Sequence, residues 1–295
     1  MSWTPKSDEE LDYQYACSKW TKRVDAETLR ADPDVLLNTH FDLLKKNEIT
    51  DGSIPCEVLS YGESDRQKVA VYVPKNLPKD APILVFIHGG YWQTHFITHD
   101  MYEILARAFA PFGVAVALLG YNLCPDITMA TMVDEVLTGM DKVVEFAEKR
   151  GSRGVYVSGH SAGGHLSAMV LAKSSHQLIK GGIPVSGLFD VRRLVPTTIN
   201  KPLYLNDDTA WEVSPLNQLD SYKKNCADRK ILITYGMNES PEFADQSSNL
   251  NQALKNLGID SVLLPVPDVD HFNIIENLID PEFLLTKEIF KLMGL

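Results

Sequence analysis

The chain has 295 residues, a net charge of −11 and 44% hydrophobic residues. This acidic balance argues against nucleic acid or an anionic membrane as a partner, because both attract basic surfaces. No apolar run is long enough to cross a bilayer, and the polar N-terminus lacks the hydrophobic stretch of a signal peptide. The four cysteines lie far apart without a C-x-x-C pair, which predicts free thiols, no metal site and a cytoplasmic location.

The first 50 residues are rich in charged and helix-forming residues. Their hydrophobic spacing predicts two short helices joined around Asp32-Pro33. Because this N-terminal helical extension precedes the first predicted strand, we expect either a lid over the site or an additional packing element. The segments 56–61 and 69–73 follow and predict an antiparallel pair of strands.

From residue 82 onward, apolar strand patterns alternate with amphipathic helix patterns. The predicted strands are 83–87, 114–119, 154–158, 182–186, 231–236 and 262–266, and a helix from Ile274 closes the chain. This alternation predicts an α/β protein with a mostly parallel central sheet and helices on both faces. We interpret the irregular stretch 187–229 as a cap or insertion between the sixth and seventh strands, within a single domain that spans residues 1–295.

One strand-to-helix turn contains the sequence Gly159-His160-Ser161-Ala162-Gly163. An apolar strand pattern precedes it and a helix pattern follows, which is the context that a G-x-S-x-G nucleophile elbow requires. The glycines permit a turn too sharp for a Cβ and force the serine into a strained backbone conformation. Ser161 is therefore the predicted nucleophile, and the alternative is an ordinary glycine-rich turn with an incidental serine.

A second glycine pair follows the buried strand 83–87, in the sequence His88-Gly89-Gly90. Esterases and lipases of the α/β-hydrolase fold carry their oxyanion-hole loop at this position, in an HGGG-type motif. Glycine allows the backbone N–H groups to approach a substrate oxygen closely. We assign the oxyanion hole to the N–H groups of Gly89, Gly90 and Ala162.

The base and the acid must follow the serine in the order Ser, acid, His. His271 lies on a short loop after the last strand, where the base belongs, and is the predicted base. The acid should follow the strand that ends at Gly236, where Glu239, Glu242 and Asp245 are the candidates. We choose Glu239, because it lies on the loop itself, whereas the other two fall into the next helix.

Several motifs together give the chain a family resemblance. His-Gly-Gly-Tyr-Trp at 88–92, Gly-His-Ser-Ala-Gly-Gly-His at 159–165, Ser-Pro-Glu-Phe at 240–243 and Asp-His-Phe at 270–272 resemble the kynurenine formamidase (arylformamidase) family. That family is an α/β-hydrolase branch related to the hormone-sensitive-lipase-like esterases. Tyr91 stands where common esterases carry a third glycine. Two departures are Glu239, where the family usually has Asp, and Asn273, where it often has Asp.

The resemblance implies hydrolysis of N-formyl-L-kynurenine to L-kynurenine and formate in tryptophan catabolism, without a metal or cofactor. The expected partner is this small molecule, and the oligomer considered is a homodimer. For substrate contacts we expect bulky Tyr91 and Trp92 beside the oxyanion loop, and Tyr204 from the insertion. Two alternatives stay open: a general short-chain carboxylesterase, and a non-catalytic binding protein with a hydrolase fold.

Overall fold

The computed structural model describes residues 7–32, 34–49 and 51–295. In this part of the chain, strands form one eight-stranded sheet in the order β1-β2-β4-β3-β5-β6-β7-β8. Strand β2 is antiparallel to β1 and β4, and the other neighbours are parallel. The strands are β1 Cys56–Ser60, β2 Lys68–Tyr72, β3 Ile83–Ile87, β4 Ala115–Leu119, β5 Val155–His160, β6 Ile179–Val185, β7 Lys230–Gly236 and β8 Ser261–Val266.

Helices cover both faces of the sheet, as predicted. Side chains of β3 alternate between two hydrophobic clusters, with Val85 in one and Phe86 in the other, because successive residues of a strand point to opposite faces. Every residue of β3 and β4 is buried, which explains their uninterrupted apolar sequences. The α-helices are α1 Asp8–Tyr15, α2 Ala26–Ala31, α3 Val35–Lys46, α4 Ile104–Phe109, α5 Met129–Arg150, α6 Ala162–Lys173, α7 Asp207–Glu212, α8 Leu219–Asn225, α9 Pro241–Asn256, α10 Asn273–Glu276 and α11 Leu284–Met293.

The described part of the N-terminal extension contains three α-helices rather than the two predicted. The additional helix, α2, begins after Asp25, whose carboxylate accepts hydrogen bonds from the backbone N–H groups of Glu27 and Thr28. Such a cap can start a short helix that hydrophobic spacing alone does not reveal. The predicted junction at Asp32-Pro33 falls between α2 and α3, and Pro33 lies outside the described residues.

Two other segments differ in detail from the prediction. The closing helix is interrupted, since α10 ends at Glu276 and α11 begins at Leu284. Asp280-Pro281 lies in the gap, and proline excludes its predecessor from helical geometry. The 187–229 insertion lies between β6 and β7 as expected, and it contains α7, α8 and three short 3-10 turns. The parallel strands β3, β5 and β7 end at the same edge of the sheet, so the predicted site residues that follow them are brought together there.

Candidate active site

Ser161 occupies the turn between β5 and α6 in a strained conformation. Its backbone has φ 57° and ψ −117°, in the left-handed half of the map that non-glycine residues rarely adopt. The flanking glycines make this turn feasible. A Cβ on Gly159 would lie 2.1 Å from the carbonyl oxygen of Gly163, and one on Gly163 would lie 1.9 Å from that of Ile87. The local geometry is thus the one that the elbow motif predicts.

Glu239 and His271 form a buried pair. The Nδ1–H of His271 donates to Oε2 of Glu239 at 2.6 Å, and the two side chains are 5% and 1% exposed. The other carboxylate oxygen, Oε1, accepts hydrogen bonds at 2.6 Å from the Ser186 hydroxyl and from the Gly236 backbone. Glu239 is therefore held on both oxygens, and it fixes the tautomer of His271 so that Nε2 is the free ring nitrogen.

Three other rings surround His271. The ring centroids of His160, Phe243 and Phe272 lie 4.5, 4.8 and 5.8 Å from its own. Burial lowers the pKa of His271, but the neighbouring Cys17 and Glu239 outweigh it and raise the pKa well above 6.5. Phe243 belongs to the Ser-Pro-Glu-Phe motif, so this motif supports the predicted base through ring packing.

The two rival acids have different surroundings. Glu242 lies in α9, fully buried, where it pairs with Arg193 of the insertion and accepts a hydrogen bond from the Tyr15 hydroxyl at 3.2 Å. Asp245 is on the exposed side of the same helix. Of the three carboxylates, the structure brings Glu239 to His271, and Glu242 instead joins α9 to the insertion and to the N-terminal extension.

The loop after β3 brings Gly89 to Ser161. A Cβ on Gly89 would stand 3.2 Å from the Ser161 Cβ and 2.8 Å from the carbonyl oxygen of His160, so the loop backbone packs directly on the elbow. Gly90, Tyr91 and Trp92 follow with φ of 110°, 51° and 61°. This succession of positive φ angles is costly for the two aromatic residues and indicates that their side chains are firmly held.

The predicted substrate contacts separate into three environments. Tyr91 lines the cavity that contains Ser161 and His271. Trp92 is 1% exposed and packs beneath that surface, where its Nε1–H donates to Nδ1 of His165 at 3.1 Å. Tyr204 is 79% exposed and is not among the described residues that line the cavity. The assignment of Trp92 and Tyr204 to substrate binding stays a prediction.

The cavity beside Ser161 has a volume of about 180 Å³ and a mostly apolar wall. The N-terminal extension and the oxyanion loop contribute much of this wall, while no residue of the 187–229 insertion is among the described lining residues. Asp34 is the one carboxylate among them, and they include no lysine or arginine. The lining residues are Ala16, Cys17, Ser18, Asp34, Leu37, His40, Phe41, Gly89, Gly90, Tyr91, Thr94, Ile97, Tyr102, His160, Ser161, His271 and Phe272.

Residues of the N-terminal extension cover one side of the cavity, which is the placement expected of a lid, and the described part of this extension, within residues 7–49, is called the N-terminal lid below. Tyr91 holds it in place, since its hydroxyl donates to the backbone carbonyl of Tyr15 at 2.8 Å and lies 3.2 Å from Sγ of Cys17. Sequence reasoning did not identify Cys17 or His40 as cavity residues. The sequence signal for these residues was Tyr91. It stands where common esterases carry a glycine, and the hydroxyl of so large a side chain needs a hydrogen-bond partner from another part of the chain.

The fold is shared with esterases of known structure. A model of the BD-FAE family matches residues 69–191. A candidate thioesterase from Silicibacter sp. tm1040 has a TM-score of 0.74 and 28% identity, with coverage of 94% of this chain and 98% of its own. Esterase B from Lactobacillus rhamnosis has a TM-score of 0.72 and 16% identity, with coverage of 91% and 95%. The fold and the site define an α/β-hydrolase of the serine-hydrolase class.

Relatives of known activity narrow this class. The kynurenine formamidase of Danio rerio is 34% identical over 99% of this chain and 98% of its own length. That of Salmo salar is 33% identical with the same coverage, and that of Drosophila melanogaster is 28% identical over 90% and 91%. The chain belongs to the kynurenine formamidase family, as its motifs indicated. In the part of the chain that the structure describes, no helix combines the length and apolarity needed to span a membrane.

Proposed function

We propose that this protein hydrolyses N-formyl-L-kynurenine to L-kynurenine and formate, in tryptophan catabolism. The observation that carries the proposal is the apolar cavity that holds the strained Ser161 together with His271, whose ring is hydrogen-bonded to the buried Glu239. Near-full-length similarity to proteins named kynurenine formamidase supports the substrate. A triad and an oxyanion loop are the parts that acyl transfer to a serine requires, and the apolar wall suits an aryl group.

The first half of the reaction forms a formyl-enzyme. His271 takes the hydroxyl proton of Ser161 through Nε2 as the oxygen attacks the formyl carbon. The backbone N–H groups of Gly89, Gly90 and Ala162 stabilise the oxyanion, and each such donor is worth about 3 kcal/mol. Glu239 offsets the imidazolium charge at Nδ1, while Nε2 carries the proton that the departing aryl amine then takes.

The second half regenerates the enzyme. Water gives a proton to Nε2 of His271 and attacks the formyl carbon, and collapse of the second tetrahedral intermediate returns the proton to Ser161 and releases formate. Because the formyl group is small, the part of the cavity near the oxyanion loop can be narrow, and the bulky side chain of Tyr91 takes up space there. The apolar part of the cavity suits the aryl ring, and the exposed Asp34 carboxylate is a partner for the substrate ammonium group.

A comparison of two substrates tests the proposal. N-formylkynurenine should have a kcat/KM well above that of p-nitrophenyl acetate, although the ester is chemically easier to cleave. Binding energy from the aryl and amino-acid groups produces this preference, because it is used to orient the formyl carbon against Ser161. An equal or inverted preference would contradict the proposal.

A general short-chain carboxylesterase is the second candidate, since structural neighbours of this chain are esterases. A general esterase would show the inverted preference in the same assay, with a higher kcat/KM for p-nitrophenyl acetate than for N-formylkynurenine. A non-catalytic binding protein is the third, and a fluorophosphonate probe tests it, because labelling requires an activated serine. Covalent labelling of the wild type, and none of a Ser161→Ala variant, would exclude it.

We further propose a cytoplasmic location and a homodimer. The location is supported by the four cysteines, all free, of which Cys17, Cys124 and Cys226 are buried and Cys56 is exposed. Fractionation of cells that express the protein tests the location. Light scattering of the purified protein tests the dimer, and the mass of a monomer would contradict it.

A further inference from the structure

His160 is a buried imidazole that the proposed mechanism does not use. It directly precedes Ser161, is 4% exposed, and lines the same cavity. Its ring centroid is 4.5 Å from that of His271, and its Nδ1 lies 3.6 Å from the position of a Cβ on Gly89. The ring is therefore close to both the oxyanion loop and the base, in the cavity where the scissile bond would lie.

The Nε2 atom of His160 has no hydrogen-bond partner in the described part of the chain. Four other described residues bury a side-chain polar atom without a partner, and none of them lines this cavity. They are His88, Arg150, Ser240 and Ser247. Because an unsatisfied buried polar group is costly, a substrate group that reaches the His160 ring and hydrogen-bonds to it would relieve this cost.

The protonation state of His160 decides what it can offer. Burial lowers its pKa well below 6.5, and the neighbouring His271 and His40 act in the same direction, while the backbone of His271 has a weaker opposite effect. The ring is therefore neutral near neutral pH. A neutral imidazole has one N–H donor and one lone-pair acceptor, so His160 can accept a hydrogen bond in the cavity.

On the basis of the proposed function, we propose that the imidazole of His160 accepts a hydrogen bond from the scissile N–H of the formamide and thereby favours amides over esters. When Ser161 attacks, the amide nitrogen becomes pyramidal and must turn its lone pair towards the proton on His271. Its N–H then points elsewhere, and an acceptor for that hydrogen holds the nitrogen in the productive orientation. An ester oxygen has no such hydrogen and gains nothing from the acceptor.

The test uses formanilide and phenyl formate, which differ by N–H against O at the scissile bond. His160→Phe keeps a ring against His271 but removes both ring nitrogens. We expect it to lower the ratio of kcat/KM for formanilide to that for phenyl formate by about tenfold, the usual effect of one hydrogen bond. His160→Asn or His160→Gln, which retain an acceptor, should restore part of the ratio.

Control measurements separate this role from a structural one. Thermal unfolding and the rate of fluorophosphonate labelling report on the fold and on Ser161 activation, and neither depends on a substrate N–H. Equal losses on the amide and the ester, or no rescue by either acceptor variant, would overturn the inference and leave the proposed function intact. If the wild type hydrolyses neither N-formylkynurenine nor formanilide, the proposed function is wrong, and this inference is wrong with it.

Discussion

Arg23 of the N-terminal lid forms a bidentate ion pair with Asp270, the residue directly before His271. Its Nε and Nη2 donate to the two carboxylate oxygens at 2.8 and 3.0 Å, and its Nη1 donates to Glu276 at 2.8 Å. Glu276 also pairs with Nδ1 of His40, a cavity residue, at 3.0 Å. Charge-assisted hydrogen bonds therefore connect the lid to the loop of the predicted base at Asp270 and to α10 at Glu276.

Breaking this connection should impair the site more than the fold. We expect Arg23→Gln to raise KM and to lower kcat/KM for N-formylkynurenine by about tenfold, with a loss of about 1 kcal/mol in the free energy of unfolding, because the 30% exposed side chain is partly screened by water. Steady-state kinetics and urea unfolding measure the two effects. Lys22→Gln, at an exposed neighbour, is the matched control, and equal kinetics for both variants would refute the connection.

Replacing the predicted nucleophile should abolish turnover and preserve the fold. Ser161→Ala removes the bond-forming oxygen but keeps the Cβ, so we expect kcat/KM to fall by about four orders of magnitude with an unchanged Tm. Ser240→Ala is a matched control, because this serine is also buried, directly follows Glu239, and its hydroxyl has no hydrogen-bond partner among the described residues. Substantial activity in the purified Ser161→Ala variant would show that the elbow does not carry the nucleophile.

The acid is tested by two substitutions of Glu239. Glu239→Gln should keep its shape but weaken the control of the His271 tautomer, and an equivalent change in serine proteases lowers turnover about ten-thousand-fold, which is the upper end of our expectation. Glu239→Asp retains the charge with a shorter reach and should keep partial activity. Kinetics on formylkynurenine, normalised to the folded fraction, measure both.

Glu242→Gln is the counterpart and should affect stability instead. It leaves Arg193 as a buried charge with a weakened partner, which costs about 3–5 kcal/mol in other proteins. We therefore expect a lower Tm and near-normal activity per folded molecule. The opposite pattern, an inactive Glu242→Gln with an active Glu239→Gln, would show that Glu242 and not Glu239 is the acid of the triad.

The pH dependence should follow His271. Its pKa is raised well above 6.5, and only the unprotonated ring accepts the serine proton, so kcat/KM should rise with pH through a pKa above that value. Cys17 contributes to the upward shift, and Cys17→Ala should therefore move the acidic limb of the profile to lower pH. Cys17→Ser, which keeps a polar contact, should move it less. A limb that does not move would show that the Cys17 thiol leaves the pKa of His271 unchanged.

The sequence alone determined those features of the fold and the site that depend on neighbouring residues. The elbow at Ser161, the glycine loop at 88–90, the alternation of strands and helices and the position of His271 follow from glycine conformations and hydrophobic periodicity, which neighbouring residues largely decide. The position of Glu239, the first carboxylate after the strand that ends at Gly236, similarly gave it access to His271. These features require only the topology of a parallel sheet, which collects loop residues at one edge.

The composition of the cavity wall depended on contacts between distant parts of the chain. Spacing could not show that the N-terminal lid, rather than the insertion with Tyr204, lines the cavity, or that Glu242 pairs with Arg193. Asp270 and Arg23 are 247 positions apart, and no local pattern relates them. Their pairing results from packing of the complete fold, which brings Asp270 and Glu276 against Arg23 of the lid.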